Sequence, residues 1–281
     1  MLLKLMNNSM ILEKGYKMFT KSPSKMIFYF FLCSLLINVS MATDIRKTPA
    51  GRRPCARVQA EKDFLTRLGL PEDTNDTEII QLLDIPEKQI FAAGVIIYRK
   101  IYSATPKLLQ IVNDANAFIP AKFVSARTLC SLGNKEWMPT IKALLLDPNS
   151  IVDRTTLKIK AAGLLARAGD YSQFEIVAAA ISDNRRYVRF SGICELRNFG
   201  HKTDPVTYLA AELLTSVATS DPVPSLRKMA IYSLEKIAKK KSEITSKVID
   251  ALDANIDSSD KNLRRICRSK LTIYGRKLKT D

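Results

Sequence analysis

Five basic residues, Lys122, Lys158, Arg189, Arg227 and Arg264, recur at intervals of 36, 31, 38 and 37 residues. Brought into line by a repeating fold, they would form a ladder of cations suited to phosphates or to an acidic peptide. The competing reading is that each pairs with an aspartate of a neighbouring turn, because a partly buried charge needs a partner. A second set, Phe91, Arg99, Phe123, Arg127, Phe190, Arg197 and Tyr232, mixes aromatic rings with guanidinium groups. That mixture suits anchors for a bound peptide or platforms for stacked bases. Its competing reading is that the phenylalanines are core, as aromatic stripes at helical spacing commonly are.

Catalytic chemistry has little to build on. His201 is the single histidine, and it sits in a polar link, GHKTDP, expected to be an exposed loop. Multi-histidine metal sites and a Ser-His-Asp arrangement therefore lack material. No glycine-rich phosphate loop is present, so neither a metal nor a cofactor is expected. The five cysteines, Cys33, Cys55, Cys130, Cys194 and Cys267, follow no pairing or metal-binding motif. Cys267 falls in a small-residue column and reads as a buried thiol. Four of the five remain beyond residue 42, enough for one disulfide in an oxidising compartment, with no pair favoured by spacing.

The elements that must position these residues are repeats. Six windows of thirteen residues align without gaps: IFAAGVIIYRKIY from Ile90, AKFVSARTLCSLG from Ala121, LKIKAAGLLARAG from Leu157, VRFSGICELRNFG from Val188, LRKMAIYSLEKIA from Leu226 and LRRICRSKLTIYG from Leu263. The fifth place is always small: Gly94, Ser125, Ala161, Gly192, Ala230 and Cys267. The ninth is Leu in five windows and Tyr98 in the other. Those places share one helical face, so a small residue lets a neighbouring helix approach while Leu fills the space beside it. Gly133, Gly169, Gly200 and Gly275 at the window ends predict helix stops. An amphipathic stretch precedes five of the windows (Thr105–Val112, Glu136–Leu146, Ser172–Ile181, Val206–Val217, Thr245–Ile256), and a turn bearing Asp114, Asp147, Asp183, Asp221 or Asp257 joins each pair. Helix, turn, helix, repeated about six times over residues 61–281, predicts an all-α solenoid.

The windows, with their Asp turns and basic second place, resemble HEAT repeats, an armadillo-type fold, of the bilin-lyase subtype. The resemblance implies a right-handed α-solenoid, whose common uses are scaffolding and protein binding. The first window departs from the pattern, with Phe91 where the others carry Lys or Arg, and reads as a cap. Metal-dependent hydroxylases of the HEAT type need several His–Glu pairs, which a chain with one histidine does not supply.

The amino terminus carries a separate signal. Residues Met26 to Val39 are uncharged and apolar, Lys14, Lys17, Lys21 and Lys25 precede them, and Ser40-Met41-Ala42 follows. This is the plan of a secretory signal peptide ending at residue 42, with an uncleaved anchor as its alternative. Residues 43–60 lack apolar periodicity and are expected to be a basic, flexible lead-in. The protein is therefore expected in the periplasm or secreted, or membrane-anchored through the apolar run.

Charge bears on partners. The chain has 44 Lys and Arg against 28 Asp and Glu, a net of +16. The last 60 residues alone hold 15 basic and 7 acidic residues, which marks the carboxyl end as a candidate for polyanions or an anionic membrane surface. The function expected from these features is a non-catalytic scaffold holding a protein or peptide outside the cytoplasm. The alternative is a basic nucleic-acid binder resembling the DNA glycosylases of this fold, favoured by net charge and size and opposed by export and by the presence of a single tryptophan, Trp137, for base contacts.

Overall fold

The computed structural model describes residues 56–147, 155–200 and 205–278. The expected signal peptide or anchor at 1–42, most of the lead-in, Cys33, Cys55 and His201 lie outside the described residues. Among the described residues there are thirteen α-helices and no strand. The chain divides into two compact units, Met1–Thr128 and Leu129–Asp281, and the division falls inside a helix.

The first unit contains α1 (Ala56–Leu68), α2 (Asp76–Gln81), α3 (Gln89–Arg99), α4 (Thr105–Asn113) and most of α5 (Ile119–Ser131). α1 takes in the last five residues of the expected lead-in, 56–60, and Ala60 within it is buried. Phe64 explains why α1 packs closely on α3: a β-carbon on Gly94 would stand 3.1 Å from its ring. The same ring lies beside Tyr98 and Phe91, with centroids 5.9 and 6.4 Å away. α2 is started by Asn75, whose Oδ1 accepts the Glu78 N–H at 2.9 Å while its amide donates to the Glu78 carboxylate; this reciprocal cap satisfies donors that a helix start leaves open. α3 ends at Lys100, a non-glycine residue in the left-handed region at φ 58°.

The second unit contains the end of α5, then α6 (Met138–Leu146), α7 (Thr155–Ala168), α8 (Phe174–Ala180), α9 (Arg186–Leu196), α10 (Pro205–Ser220), α11 (Pro224–Ala238), α12 (Thr245–Asp253) and α13 (Lys261–Leu278). First and second helices alternate and form two layers. α8, α10 and α12 pack in succession, as do α7, α9, α11 and α13, and each first helix packs on its own second helix. The expected first helices are thus found within a few residues of their predicted ends.

The alignment columns become the core. All six residues of the fifth place are buried. Gly192 shows why: a β-carbon there would meet the Ala180 methyl at 3.0 Å and Ile181 Cδ1 at 3.1 Å. At the ninth place Leu129, Leu165, Leu196 and Leu234 are fully buried, each contributing about 1.5–3 kcal/mol. Leu271 of α13 is only half-buried. Pro139 and Pro224 stand in the first turns of α6 and α11, where a missing N–H costs nothing.

Two of the four expected glycine stops hold. Gly133 and Gly169 adopt φ of 84° and 104°, the left-handed conformation that closes a helix. Gly200 does not; it follows a 3₁₀ turn at φ −86° and instead makes room for Ile237, whose Cγ1 would lie 2.6 Å from a β-carbon. Gly275 does not stop a helix either, because α13 runs on to Leu278. An interior glycine weakens a helix by only about 1 kcal/mol.

Candidate binding face on the second helices

The second place of each window lies at the start of a second helix, beside the turn that precedes it. Arg189 uses that position to clasp two turns. Its Nη1 donates to the carbonyls of Asp183 and Asn184 at 2.9 and 3.1 Å, and its Nε donates to Asp221 Oδ2 of the next turn at 2.8 Å. Asp221 is itself buried and accepts the Val223 N–H at 2.8 Å. Arg264 donates to the Ser258 carbonyl at 2.7 Å, and Arg227 reaches the Ser258 hydroxyl at 3.3 Å. The carbonyl-rich end of a first helix attracts these cations. Lys122 is buried; burial pushes its ammonium below the usual lysine range, partly offset by the charge of Asp114. Lys158 is half-buried on α7. The structure brings Arg189, Arg227 and Arg264 to the turns, not to an open ladder.

The aromatic and guanidinium set divides between the units. In the first, Arg99 donates to Glu61 Oε1 at 2.7 Å, to the Glu72 carbonyl at 2.8 Å and to the Thr74 carbonyl. It thereby holds the turn after α1. Phe91 is half-buried against Phe64, with the Arg67 guanidinium 6.0 Å from its ring centroid. Phe123 is buried, and Arg127 is half-buried and partnered. In the second unit Phe190 and Arg197 are half-buried on and just after α9, while Tyr232 of α11 is 37% exposed.

Tyr232 is held from the side. Lys270 of α13 lies 5.0 Å from its ring centroid, and the same ammonium donates to both carboxylate oxygens of Glu235 at 2.5 and 2.6 Å. A ring fixed in this way loses little freedom when a partner covers it. Lys228 and Arg265 occupy the place on α11 and α13 that Phe190 occupies on α9, and these helices are successive neighbours. Phe190, Lys228, Arg265, Arg197 and Tyr232 thus mark one side of the second-helix layer. Lys228 and Arg265 escaped the sequence reading because cations at that place alternate with Phe123, Ile159 and Phe190.

A further feature without a common residue type is the eighth place. There Ser233 Oγ donates to the Ile193 carbonyl at 3.1 Å, and in the first unit Thr128 Oγ1 donates to the Ala93 carbonyl at 3.2 Å. Glu195 and Lys270 also stand at this place. Each reaches the preceding second helix, Glu195 at Gly163 and Lys270 at Glu235. Cys194, next to Glu195, is buried, and burial pushes its thiol up to about 12. Cys267 is likewise raised by burial. Neither thiol is set up as a nucleophile.

Trp137, the chain's single tryptophan, is fully buried, and its Nε1–H donates to the Asn134 carbonyl at 2.8 Å. It is a core residue. Among the described residues no three His, Cys, Asp or Glu side chains are grouped to hold a metal ion. No helix among them is long and apolar enough to cross a membrane.

No protein family matches the sequence, and no curated protein does. Three solved structures align with most of the chain at low identity. A computationally designed armadillo repeat protein for modular peptide recognition aligns with 76% of this chain and 98% of its own, at 13% identity and a TM-score of 0.43. An engineered protein aligns with 73% of this chain and 94% of its own, at 14% identity and a TM-score of 0.38. Human deoxyhypusine hydroxylase, in complex with glycerol, aligns with 89% of this chain and 99% of its own, at 15% identity and a TM-score of 0.33.

Proposed function

We propose that this chain is a non-catalytic scaffold that binds a protein or peptide partner along the second helices of its second unit, outside the cytoplasm. The observation that carries the reading is Tyr232, exposed and yet fixed by the Lys270–Glu235 pair. Arg197 and Phe190 on the neighbouring repeat extend the same side, and Lys228 and Arg265 give it a positive field. Aromatic and arginine side chains are the residues that dominate interface energies. The apolar run from Met26 to Val39 and the small residues at 40–42 support export, and the Asp turns and basic second place support the bilin-lyase subtype of HEAT repeat.

A photo-crosslinking phenylalanine analogue at position 232, introduced in the native cell, tests the binding face. A discrete crosslinked product that disappears with Arg197→Glu is the expected result. No discrete product, or a product unchanged by Arg197→Glu, removes this face. Sequencing the amino terminus of the native protein tests export: a start at Thr43 in an extracytoplasmic fraction is expected, and an intact terminus in the cytoplasm excludes it.

A second reading is attraction of a polyanion to the carboxyl end. It is favoured by α13, whose eighteen residues include no carboxylate. Of the possible polyanions, nucleic acid finds no base platform in the chain's single tryptophan, because Trp137 is fully buried.

A further inference from the structure

The pair α12 and α13 narrows the identity of that polyanion, because α13 carries cations and no carboxylate, while the one cation of α12, Lys247, is paired with Glu212. α12 exposes the carboxylates of Asp250 and Asp253. The two acids nearest α13 are already engaged: Asp257 accepts from Arg268 at 3.0 Å, and Asp260 Oδ1 accepts the Leu263 N–H at 2.7 Å. On α13, Lys261, Arg265, Arg268 and Thr272 are all exposed. Their three- and four-residue spacing puts them on one stripe. Leu263 and Cys267, on the opposite stripe, are buried. Lys261 makes no ion pair among the described residues, and Arg265 meets only the Asn262 side chain, at 3.5 Å. Ile273, 54% exposed, lies along the margin of the stripe.

A terminal helix that only had to keep the stack in solution would serve as well with both signs of charge interspersed. A single sign draws a polyanion. A row of cations along one helix can follow a nucleic-acid backbone as well as a lipid surface; the exposed apolar side chain of Ile273 beside the row is what favours the lipid. Here the cations run along one helix, about 10 Å from Lys261 to Arg268 at 1.5 Å per residue, with an apolar side chain beside them. Such a row fits a plane of anionic headgroups, into whose boundary an apolar side chain can dip. Resting on the polyanion reading, we infer that α13 docks on an anionic lipid surface, with Lys261, Arg265 and Arg268 towards the headgroups, Ile273 in the interfacial layer and the α12 carboxylates turned away.

The test uses the full chain and two kinds of vesicle, phosphatidylcholine alone and phosphatidylcholine with phosphatidylserine. The ratio of partitioning to the two is the readout, since it cancels any binding of the apolar run at 26–39 to both. The double variant Lys261→Gln/Arg265→Gln is expected to lower this ratio about 30-fold, the factor for two charges each worth about 1 kcal/mol at such a surface. The same charge loss in Lys135→Gln/Arg167→Gln, at exposed positions on other elements, is expected to leave it within about twofold. Ile273→Ser is expected to weaken binding while leaving its salt dependence unchanged. An equal drop in both double variants overturns the inference. So does a lack of preference for phosphatidylserine. A short DNA duplex assayed in parallel separates the two levels: duplex binding lost in Lys261→Gln/Arg265→Gln without vesicle preference keeps the polyanion reading and discards the lipid surface. Binding to neither discards both.

Discussion

Gly163 of α7 lies directly against Glu195 of α9: a β-carbon on Gly163 would stand 2.7 Å from Glu195 Cβ and 2.8 Å from its Cδ. Glu195 is buried there and accepts from the Asn198 amide at 2.6 Å. Alanine is the better helix former by about 1 kcal/mol, but overpacking a contact this close costs about 1–3 kcal/mol. Gly163→Ala is therefore expected to destabilise the protein by about 1–2 kcal/mol in urea unfolding. Combining it with Glu195→Gly, which removes the opposing β-carbon as well as the carboxylate, should recover most of the packing loss, seen as a coupling energy in a double-mutant cycle. Additive effects would show that the two residues do not confine each other.

The Arg189–Asp221 pair joins successive turns with side chains that are 13% and 4% exposed. Removing one partner leaves the other charge buried. Arg189→Met is expected to cost about 3 kcal/mol, measured by chemical denaturation. A cost below about 1 kcal/mol, the range of surface pairs, would mean the clasp is open to water in solution.

Thiol chemistry offers a local test of burial. With the Cys194 thiol pushed up to about 12 and enclosed, almost no thiolate exists at pH 8. Mapped alkylation at that pH should label half-buried Cys130 first, and label Cys194 and Cys267 only as the protein unfolds. Labelling of Cys194 at the rate of the denatured chain would contradict its placement.

Asp183 carries the clearest acid titration. Hydrogen bonds from the Arg185 side chain and backbone hold its carboxyl at about 2. A folded value below the unfolded one, ordinarily about 3.9, means that the contribution is present above about pH 4. It is lost as pH falls through about 2. Carboxyl NMR should place the midpoint near 2 and move it upward in Arg185→Gln; an unchanged midpoint in that variant would assign the effect to another group.

The columns that pack were legible in the sequence because packing restricts residue type. A fifth place filled only by Gly, Ala, Ser or Cys, and a ninth filled by Leu in five windows of six, follow from how near two helices come; the structure buries the whole fifth column and all of the ninth except Leu271. Polar links were not legible, because hydrogen bonding restricts geometry more than type. Thr128, Glu195, Ser233 and Lys270 share a place and a target helix but no chemistry that an alignment column reveals. Arg99 was read as an anchor because its targets, Glu61 and the carbonyls of Glu72 and Thr74, lie on elements with no repeat signature. Gly275 misled because nothing after it in the sequence forces the left-handed turn that makes glycine a stop.

In the second unit each helix touches little beyond its nearest neighbours, and α13 packs on α12 and more lightly on α11. A stack held by neighbour contacts opens locally where those contacts are fewest. The outer face of α13 carries unbalanced positive charge, so whatever settles on that face also holds α13 against α12, and attachment and the lifetime of that contact rise and fall together.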